Sequence, residues 1–171
     1  MKKNLVLTGM MGVGKSTIGK SLAKKLKFNF ADIDKIIEAK EKNTIKEIFK
    51  NKGENYFRKI EKNVTFEILK NNNLVIALGG GAFVNKLIRS QVKSTSISFW
   101  LNLNTKLLLK RLKNAKKRPL LNEVNLEVSI NKIYSERKKF YNQSNFKIKC
   151  DLLDIKQIVD KIIELYENSR A

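Results

Sequence analysis

The sequence predicts an α/β fold, a three-layer sandwich in which a five-stranded parallel sheet is covered by helices on both faces. Two observations predict this fold. Five short apolar runs have the length of buried strands, and the longer segments between them repeat apolar residues with the period of a helix. Because the two kinds of segment alternate along the chain, the strands are expected to run parallel and to be joined by helices.

The individual elements follow from the position of each apolar run. Strands are expected at residues 5–7, 28–33, 74–78, 96–101 and 146–150. Helices are expected at residues 16–26, 55–69, 105–112, 126–141 and 155–166. Residues 44–47 read Thr-Ile-Lys-Glu, a capping box that predicts the start of a short helix. With no internal repeat or linker, we expect one domain over residues 1–171, and the polar stretch 113–125 around Pro119 is the candidate for a mobile lid.

The composition narrows the classes of function. The chain carries 36 Lys and Arg against 16 Asp and Glu, and this net charge of +20 suits a nucleic acid, an anionic membrane surface or an acidic small substrate as partner. Most of these cations are lysines dispersed along the whole chain, whereas non-specific binding to nucleic acid requires clustered charge. We therefore favour compositional drift together with an anionic small-molecule ligand, and we expect no specific nucleic-acid partner.

Two residue types limit the chemistry further. The chain has no histidine, the commonest proton shuttle and zinc ligand, and its one cysteine, Cys150, excludes an intrachain disulfide. Cys150 ends an alternating strand pattern, which indicates a buried thiol without a catalytic part. The first apolar run breaks at Thr8 and Gly9 with no signal-peptide cleavage site, and no stretch approaches the roughly 20 apolar residues of a membrane span. We expect a cytoplasmic monomer without membrane contact.

A phosphate-binding loop is predicted near the start of the chain. Residues 9–16, Gly-Met-Met-Gly-Val-Gly-Lys-Ser, fit the pattern G-x-x-x-x-G-K-[ST] and lie between a predicted strand and a predicted helix. In this context backbone N–H groups and a helix N-terminus cradle phosphates. Lys15 is expected to reach the β- and γ-phosphates of ATP, and the Ser16 hydroxyl to ligate Mg²⁺. Gly12, Val13, Gly14 and Thr17 are the other residues expected to bind ATP, as in a small-molecule kinase.

Two further groups of residues follow predicted strands, so they belong to the same edge of the sheet. Asp32 and Asp34 lie at the end of the second strand, where they would share one face if the strand continued. One can hold Mg²⁺ through water while the other orients or deprotonates an acceptor hydroxyl; a pair of solvated turn carboxylates is the alternative. Gly79, Gly80 and Gly81 follow the third strand and indicate either close approach of the backbone to a ligand or a flexible turn.

The arginines are informative because lysine is so abundant. Only 6 of the 36 basic residues are Arg, so each indicates a need for the planar fork that grips a carboxylate or phosphate with two hydrogen bonds. Arg89 and Arg170 receive no role. The four candidates for binding an anionic acceptor and the transferring phosphoryl group are Arg58, Arg111, Arg118 and Arg137. Arg118, beside Pro119 in the predicted lid, suits the phosphoryl group.

Together these residues resemble the shikimate kinase family, in an order that spans almost the whole chain. The resemblance rests on residues 9–16, on Asp-Ile-Asp at 32–34, on Gly-Glu-Asn-Tyr-Phe-Arg at 53–58, on the glycines at 79–81, on Arg-Pro-Leu-Leu at 118–121, and on Glu136, Arg137 and Tyr141. It implies a P-loop NTPase-type fold like that of nucleoside monophosphate kinases, with a helical substrate-binding region at about residues 33–61 and a lid at about 113–125. It also implies ATP-dependent phosphorylation of the 3-hydroxyl of shikimate, on the route to chorismate and the aromatic amino acids.

The resemblance implies a role for each matching residue. Asp34 would hold the ring hydroxyls of shikimate and act as the base, while Arg58 and Arg137 would bind its carboxylate beside the backbone of residues 79–81. Asp32 would join Ser16 around Mg²⁺. Arg118 would move in with the lid to stabilise the γ-phosphoryl group, and Arg111 would stack on adenine. Lys15, Asp34 and Arg118 are therefore the expected catalytic residues.

Three other functions compete with this interpretation. A related kinase of gluconate or of a nucleoside monophosphate would share the phosphate loop, but the set of Arg58, Arg137 and three glycines argues against it. A nucleic-acid-associated NTP-binding protein would explain the charge of +20. A regulatory module without catalysis would not need Lys15 and Ser16. One departure from the family pattern is that residues 151–156 lack the proline usual in the adenine-binding loop, which predicts relaxed nucleotide selectivity.

Overall fold

The computed structural model describes residues 3–114 and 126–169, and these form five strands and seven α-helices. The strands are β1 (Asn4–Thr8), β2 (Asn29–Asp32), β3 (Leu74–Ala77), β4 (Ser96–Asn102) and β5 (Phe146–Lys149). The helices are α1 (Lys15–Leu26), α2 (Ile33–Glu41), α3 (Ile45–Leu69), α4 (Lys86–Thr95), α5 (Thr105–Asn114), α6 (Leu126–Tyr141) and α7 (Ile155–Asn168). A single 3₁₀ turn, Ala82–Val84, lies between β3 and α4. None of the described helices is both long enough and apolar enough to cross a bilayer.

The five strands form one parallel sheet in the order β2-β3-β1-β4-β5. The central strand β1 is buried along its whole length, which is why its sequence is a continuous apolar run. The β1-to-β2 and β3-to-β4 connections run in opposite directions along the sheet, so right-handed crossovers place α1 and α4 on opposite faces. Because α7 contacts α1 and α3 contacts α4, a helical layer covers each face. The predicted three-layer fold is confirmed.

The second strand is shorter than the sequence pattern indicates. It ends at Asp32, and α2 begins at Ile33. The Asp32 carboxylate accepts a hydrogen bond from the backbone N–H of Lys35 at 3.3 Å, and this N-cap turns the chain into a helix. The prediction that Asp32 and Asp34 share one face of a strand is therefore wrong, because Asp34 lies in the first turn of α2.

Helix α3 contains both of the helical segments predicted between residues 44 and 69. The capping box is present: the Thr44 hydroxyl accepts from the backbone N–H of Glu47 at 3.3 Å, and the Glu47 carboxylate accepts from the backbone N–H of Thr44 at 2.8 Å. At Gly53 the backbone adopts φ 82° and ψ 169°, a conformation open to glycine that interrupts the helix. The resulting kink explains why the sequence pattern indicates two helices instead of one.

The single cysteine is buried where β5 ends. Cys150 is 2% exposed, and its thiol donates to the carbonyl of Ile148 at 3.4 Å. Burial raises the pKa of the Cys150 thiol to about 11. The predicted buried thiol is confirmed.

We expect Cys150 to resist alkylation while the chain is folded. With a pKa of about 11, only about one thiol in a thousand is thiolate at pH 8. Iodoacetamide at pH 8, followed by mass spectrometry of the intact chain, is expected to label the protein only after denaturation in guanidinium chloride. Rapid labelling of a sample that keeps full activity would contradict the burial of this thiol.

Candidate active site

The phosphate-binding loop joins the carboxyl end of β1 to the N-terminus of α1. Gly14 is the N-cap of α1, and the first turn of this helix contains no acidic residue. The Lys15 ammonium group donates to the backbone carbonyls of Gly9 and Met10, both at 2.8 Å, so it lies over the loop. The helix dipole and the Lys15 charge therefore both favour an anion at this place.

Arg111, in α5, reaches the phosphate-binding loop from its other side. Its Nη1 donates to the carbonyl of Val13 at 3.1 Å and would lie 3.9 Å from a Cβ added to Gly14. A Cβ on Gly12 would lie 3.0 Å from Leu112 of the same helix. The structure thus brings Arg111 beside the residues predicted to bind ATP, as expected for a residue at the nucleotide site.

Two hard oxygen ligands meet next to this loop. The Ser16 hydroxyl donates to Oδ2 of Asp32 at 2.5 Å, and Thr17 lies next to Ser16, exposed in the first turn of α1. Hydroxyl and carboxylate oxygens are ligands that suit Mg²⁺, which keeps several waters and is usually completed by substrate phosphates. Across residues 3–114 and 126–169, no three His, Cys, Asp or Glu side chains converge on one metal position. Ser16 and Asp32 therefore fit a Mg²⁺ ion that is shared with a nucleotide.

The glycine segment after β3 makes room for charged side chains against its backbone. A Cβ added to Gly79 would lie 2.6 Å from Oε1 of Glu61 and 2.7 Å from Oδ1 of Asp34. A Cβ added to Gly81 would lie 2.7 Å from both Nη atoms of Arg58. Such distances are far below ordinary contact, so a Cβ at either position would displace these charged groups from where they lie. In the structure the close approach at these glycines is made by side chains of the chain itself, and the predicted approach to a ligand stays a prediction.

The middle glycine connects the phosphate-binding loop to α6. A Cβ on Gly80 would lie 3.3 Å from the backbone nitrogen of Met11 and 3.5 Å from Nη1 of Arg137. The Tyr141 hydroxyl donates to the carbonyl of Gly80 and also lies 3.8 Å from the sulfur of Met10. Burial raises the pKa of Tyr141, so its hydroxyl keeps its proton as a donor. The carboxylate-binding candidate Arg137 therefore lies next to the loop that would hold the phosphates.

Arg58 lies between two carboxylates of its own helix. Its Nη1 donates to Oε2 of Glu61 at 2.7 Å, and its Nε and Nη2 both donate to Oε1 of Glu54 at 3.2 Å. The guanidinium also lies over the ring of Phe57, 5.1 Å from its centroid. Its charge and orientation are thus fixed before any acceptor binds.

Glu61 is a buried carboxylate beside Arg58 that the sequence analysis did not single out. Its side chain is 2% exposed, and burial raises the pKa of Glu61 more than Arg58 lowers it, with the nearby charge of Asp34 adding to the rise. Its Oε1 accepts no hydrogen bond from any residue that the structure describes. The available signal was its position in α3, since Glu61 falls on the buried face that Phe57 and Val64 share.

Arg89, to which the sequence analysis gave no role, supports the turn after the glycines. Its Nη1 donates to the carbonyls of Phe83 and Val84 at 2.9 and 2.5 Å. Its guanidinium also lies over the ring of Phe140, 4.7 Å from the centroid. Arg89 therefore connects the segment after Gly81 to α6, the helix that carries Arg137.

A cavity of about 510 Å³ lies on the acceptor side of the site. Its lining includes Glu54, Arg58, Gly81, Glu136 and Arg137. The structure thus brings together the predicted acceptor residues Arg58, Arg137 and Gly81, with Asp34 beside Gly79. Arg118 and Pro119 lie outside the described residues, as does most of the predicted lid, so the role of Arg118 stays a prediction.

Comparison with known proteins shows the family of this chain. A family model described as shikimate kinase matches residues 11–167. A shikimate kinase of Sulfurihydrogenibium sp. is 42% identical over 161 residues, which cover 94% of this chain and 96% of that protein. The solved structure of a shikimate kinase from Acinetobacter baumannii in complex with shikimate superposes with a TM-score of 0.92 at 33% identity, covering 98% of this chain and 94% of that one. This chain belongs to the shikimate kinase family.

Proposed function

We propose that this chain transfers the γ-phosphoryl group of ATP to the 3-hydroxyl of shikimate, giving shikimate 3-phosphate on the route to chorismate. One observation carries the proposal: the glycine segment 79–81 lies against the phosphate-binding loop and also against the guanidinium groups of Arg58 and Arg137. A phosphate site and a carboxylate site therefore adjoin each other at this segment. Membership of the shikimate kinase family, and a solved relative described with shikimate, support this acceptor.

Arg58 and Arg137 bind the carboxylate of the acceptor. Both guanidinium groups lie against the glycine segment, where a Cβ would approach Nη1 of Arg58 to 2.7 Å and Nη1 of Arg137 to 3.5 Å. Guanidinium groups bind carboxylates through paired, charge-assisted hydrogen bonds. A neutral polyol makes no charge-assisted pair with these guanidinium groups, so the two arginines favour acceptors that carry a carboxylate.

Asp34 orients the hydroxyls of the acceptor ring. It lies in the first turn of α2, beside Gly79 and close enough to Glu61 to raise the pKa of that carboxyl group. The attacking hydroxyl gives its proton to the Asp34 carboxylate as the new P–O bond forms and the bond to ADP breaks. A loose phosphoryl-transfer transition state depends chiefly on alignment and charge, so holding the hydroxyl in line is the larger part of this role.

The nucleotide lies across the phosphate-binding loop. Lys15 turns from the carbonyls of Gly9 and Met10 to the β- and γ-phosphates, and Arg111 covers the adenine side. Ser16 and Asp32 would hold Mg²⁺, which would neutralise phosphate charge. Arg118, outside the described residues, is assigned to the γ-phosphoryl group by the family resemblance.

We also propose that the enzyme works as a cytoplasmic monomer, with ATP and shikimate as its substrates and no specific nucleic-acid partner. The site residues described above come from α1, α2, α3, α5 and α6 of a single chain, which supports a monomer. Lysines occur on each of the seven helices that the structure describes, and this spread of charge supports the absence of a nucleic-acid role.

A substrate panel tests the proposed function. ADP release is measured with ATP and Mg²⁺ in the presence of shikimate, gluconate, AMP or CMP, using a coupled assay. Turnover with shikimate alone is expected. Turnover with a different acceptor alone would keep the phosphotransferase assignment, but it would overturn the roles given to Asp34, Arg58 and Arg137.

A further inference from the structure

The guanidinium group of Arg58 has a neighbour on each of its three edges. Glu61 accepts from Nη1 at 2.7 Å, and the end formed by Nη1 and Nη2 lies against Gly81. The remaining edge, formed by Nε and Nη2, is occupied by Oε1 of Glu54 at 3.2 Å from both nitrogens. An acceptor carboxylate that approaches Arg58 through the cavity therefore meets another carboxylate already bound.

We propose that Glu54 is an internal competitor for the acceptor: its carboxylate occupies the Nε and Nη2 edge of Arg58, and the acceptor carboxylate displaces it on binding. The Nε and Nη2 edge matches the two oxygens of a carboxylate, which makes it the preferred contact for both competitors. The assignment rests on the proposed function, since it concerns how the same acceptor reaches Arg58.

The geometry identifies Glu54, and not Glu61, as the partner that leaves. The Glu61 side chain is 2% exposed and bonds at 2.7 Å, so removing it from Arg58 would leave a buried charge unpaired. The Glu54 side chain is 63% exposed and bonds at 3.2 Å, and exposed pairs of this kind are weak and easily replaced by water. The two carboxylates thus have different roles: Glu61 fixes the position of Arg58, and Glu54 occupies the Nε and Nη2 edge until the acceptor binds.

The position of Glu54 in the helix favours its carboxylate even after it leaves Arg58. It follows the kink at Gly53, and therefore lies in the first turn of the helical segment 54–69. A carboxylate in the first turn of a helix is favoured by the helix dipole and by water. A Cβ at Gly53 would meet nothing within 4 Å, so the neighbourhood of the kink is open. Moving Glu54 away from Arg58 therefore costs little free energy. Only a ligand that carries its own carboxylate can replace Glu54 at the Nε and Nη2 edge of Arg58.

The test is the substitution Glu54→Gln, which keeps the shape of the side chain and removes its charge. The KM for shikimate is expected to fall about two- to fivefold, while kcat and the KM for ATP stay within about twofold. The matched control is Glu67→Gln, because Glu67 lies on the same helix, is also 63% exposed, and pairs with Lys40 away from the cavity. This control changes the net charge equally and is expected to leave the shikimate KM unchanged.

The same Glu54→Gln substitution in an Arg58→Gln protein distinguishes displacement of Glu54 from a general effect of its charge. In an Arg58→Gln protein the contested edge no longer exists, so adding Glu54→Gln is expected to leave the shikimate KM unchanged. If the same two- to fivefold fall persisted in that background, Glu54 would act only through its electrostatic field, and the assignment as a competitor would be overturned.

A rise in the shikimate KM of the Glu54→Gln protein, at an unchanged melting temperature, would also overturn the assignment, since Glu54 would then position Arg58 for binding.

Failure of the proposed function gives a different result from failure of the competitor assignment. The unmodified protein would release no ADP with shikimate, and both the function and the competition at Arg58 would fall together. Turnover by the unmodified protein with an unaltered KM in Glu54→Gln would overturn the competitor alone.

Discussion

Replacement of Lys15 by alanine is expected to lower kcat by roughly 10³-fold or more. Lys15 Nζ lies over the phosphate-binding loop, bonded to two of its carbonyls at 2.8 Å, and it is proposed to bind the β- and γ-phosphates. Because the charge that Lys15 stabilises grows in the transition state, its loss affects kcat more than the binding of the acceptor. Steady-state kinetics with shikimate as the varied substrate measures this effect.

The control for that substitution is Lys24→Ala. Lys24 is an exposed lysine further along the same helix and is not part of the site, so its removal is expected to leave kcat within about twofold. Near-normal turnover by Lys15→Ala would contradict the assignment of the phosphate-binding loop. A collapsed circular dichroism spectrum would instead show that the hydrogen bonds from Lys15 are needed to fold the loop.

Arg58→Ala is expected to raise the KM for shikimate about 100-fold and to leave the KM for ATP within about threefold. The substitution removes one of the two guanidinium groups proposed to bind the acceptor carboxylate. It also leaves Glu61 buried without its cationic partner, which is expected to lower the free energy of unfolding by about 3–5 kcal/mol. Kinetics measure the first effect, and denaturant unfolding measures the second.

This loss of stability is expected to depend on pH. Burial already raises the pKa of Glu61, and removing Arg58 takes away the main influence that lowers it. A carboxyl group whose pKa is higher in the folded chain binds more protons when folded, so its contribution to stability falls as pH rises above its ordinary value of 4.5. Arg58→Ala is therefore expected to be more destabilising at pH 8 than at pH 5.

The neighbouring Lys59→Ala variant provides the matched comparison. Lys59 is an exposed cation in the same helix, so its removal is expected to change neither the shikimate KM nor the pH dependence of unfolding. An equal rise in the KM values for shikimate and ATP in Arg58→Ala would contradict the carboxylate-binding role. An equal loss of stability at both pH values would show that Glu61 stays ionised without Arg58.

The fold could be predicted from the sequence because its signals are local. The apolar runs became the five strands, and the phosphate-binding pattern at residues 9–16 fixed the junction of β1 and α1. The second strand is present but shorter than predicted, also for a local reason: Asp32 caps α2, so the strand ends before Asp34. Propensity alone does not show that a carboxylate after a strand will serve as a helix cap.

The candidate site could be predicted only in part, because much of it depends on contacts between distant segments. Arg58 and Arg137 were visible as rare arginines in a lysine-rich chain. Glu61 was missed: its place on the apolar face of α3 indicates burial, but its contacts with Gly79 and Arg58 are seen only in the folded chain. The same holds for the Tyr141 hydroxyl, which meets Gly80 only after the chain has folded.

The most direct test of the carboxylate-binding arginines compares shikimate with its carboxamide, which keeps the ring and its hydroxyls but has no charge. The ratio of kcat/KM for the two acceptors is measured in the unmodified protein and in Arg137→Gln. We predict that the unmodified protein prefers shikimate by about 100-fold or more, and that this preference falls at least tenfold in the variant. Comparable kcat/KM values for the two acceptors in the unmodified protein would contradict the proposal that Arg58 and Arg137 select the acceptor through its carboxylate.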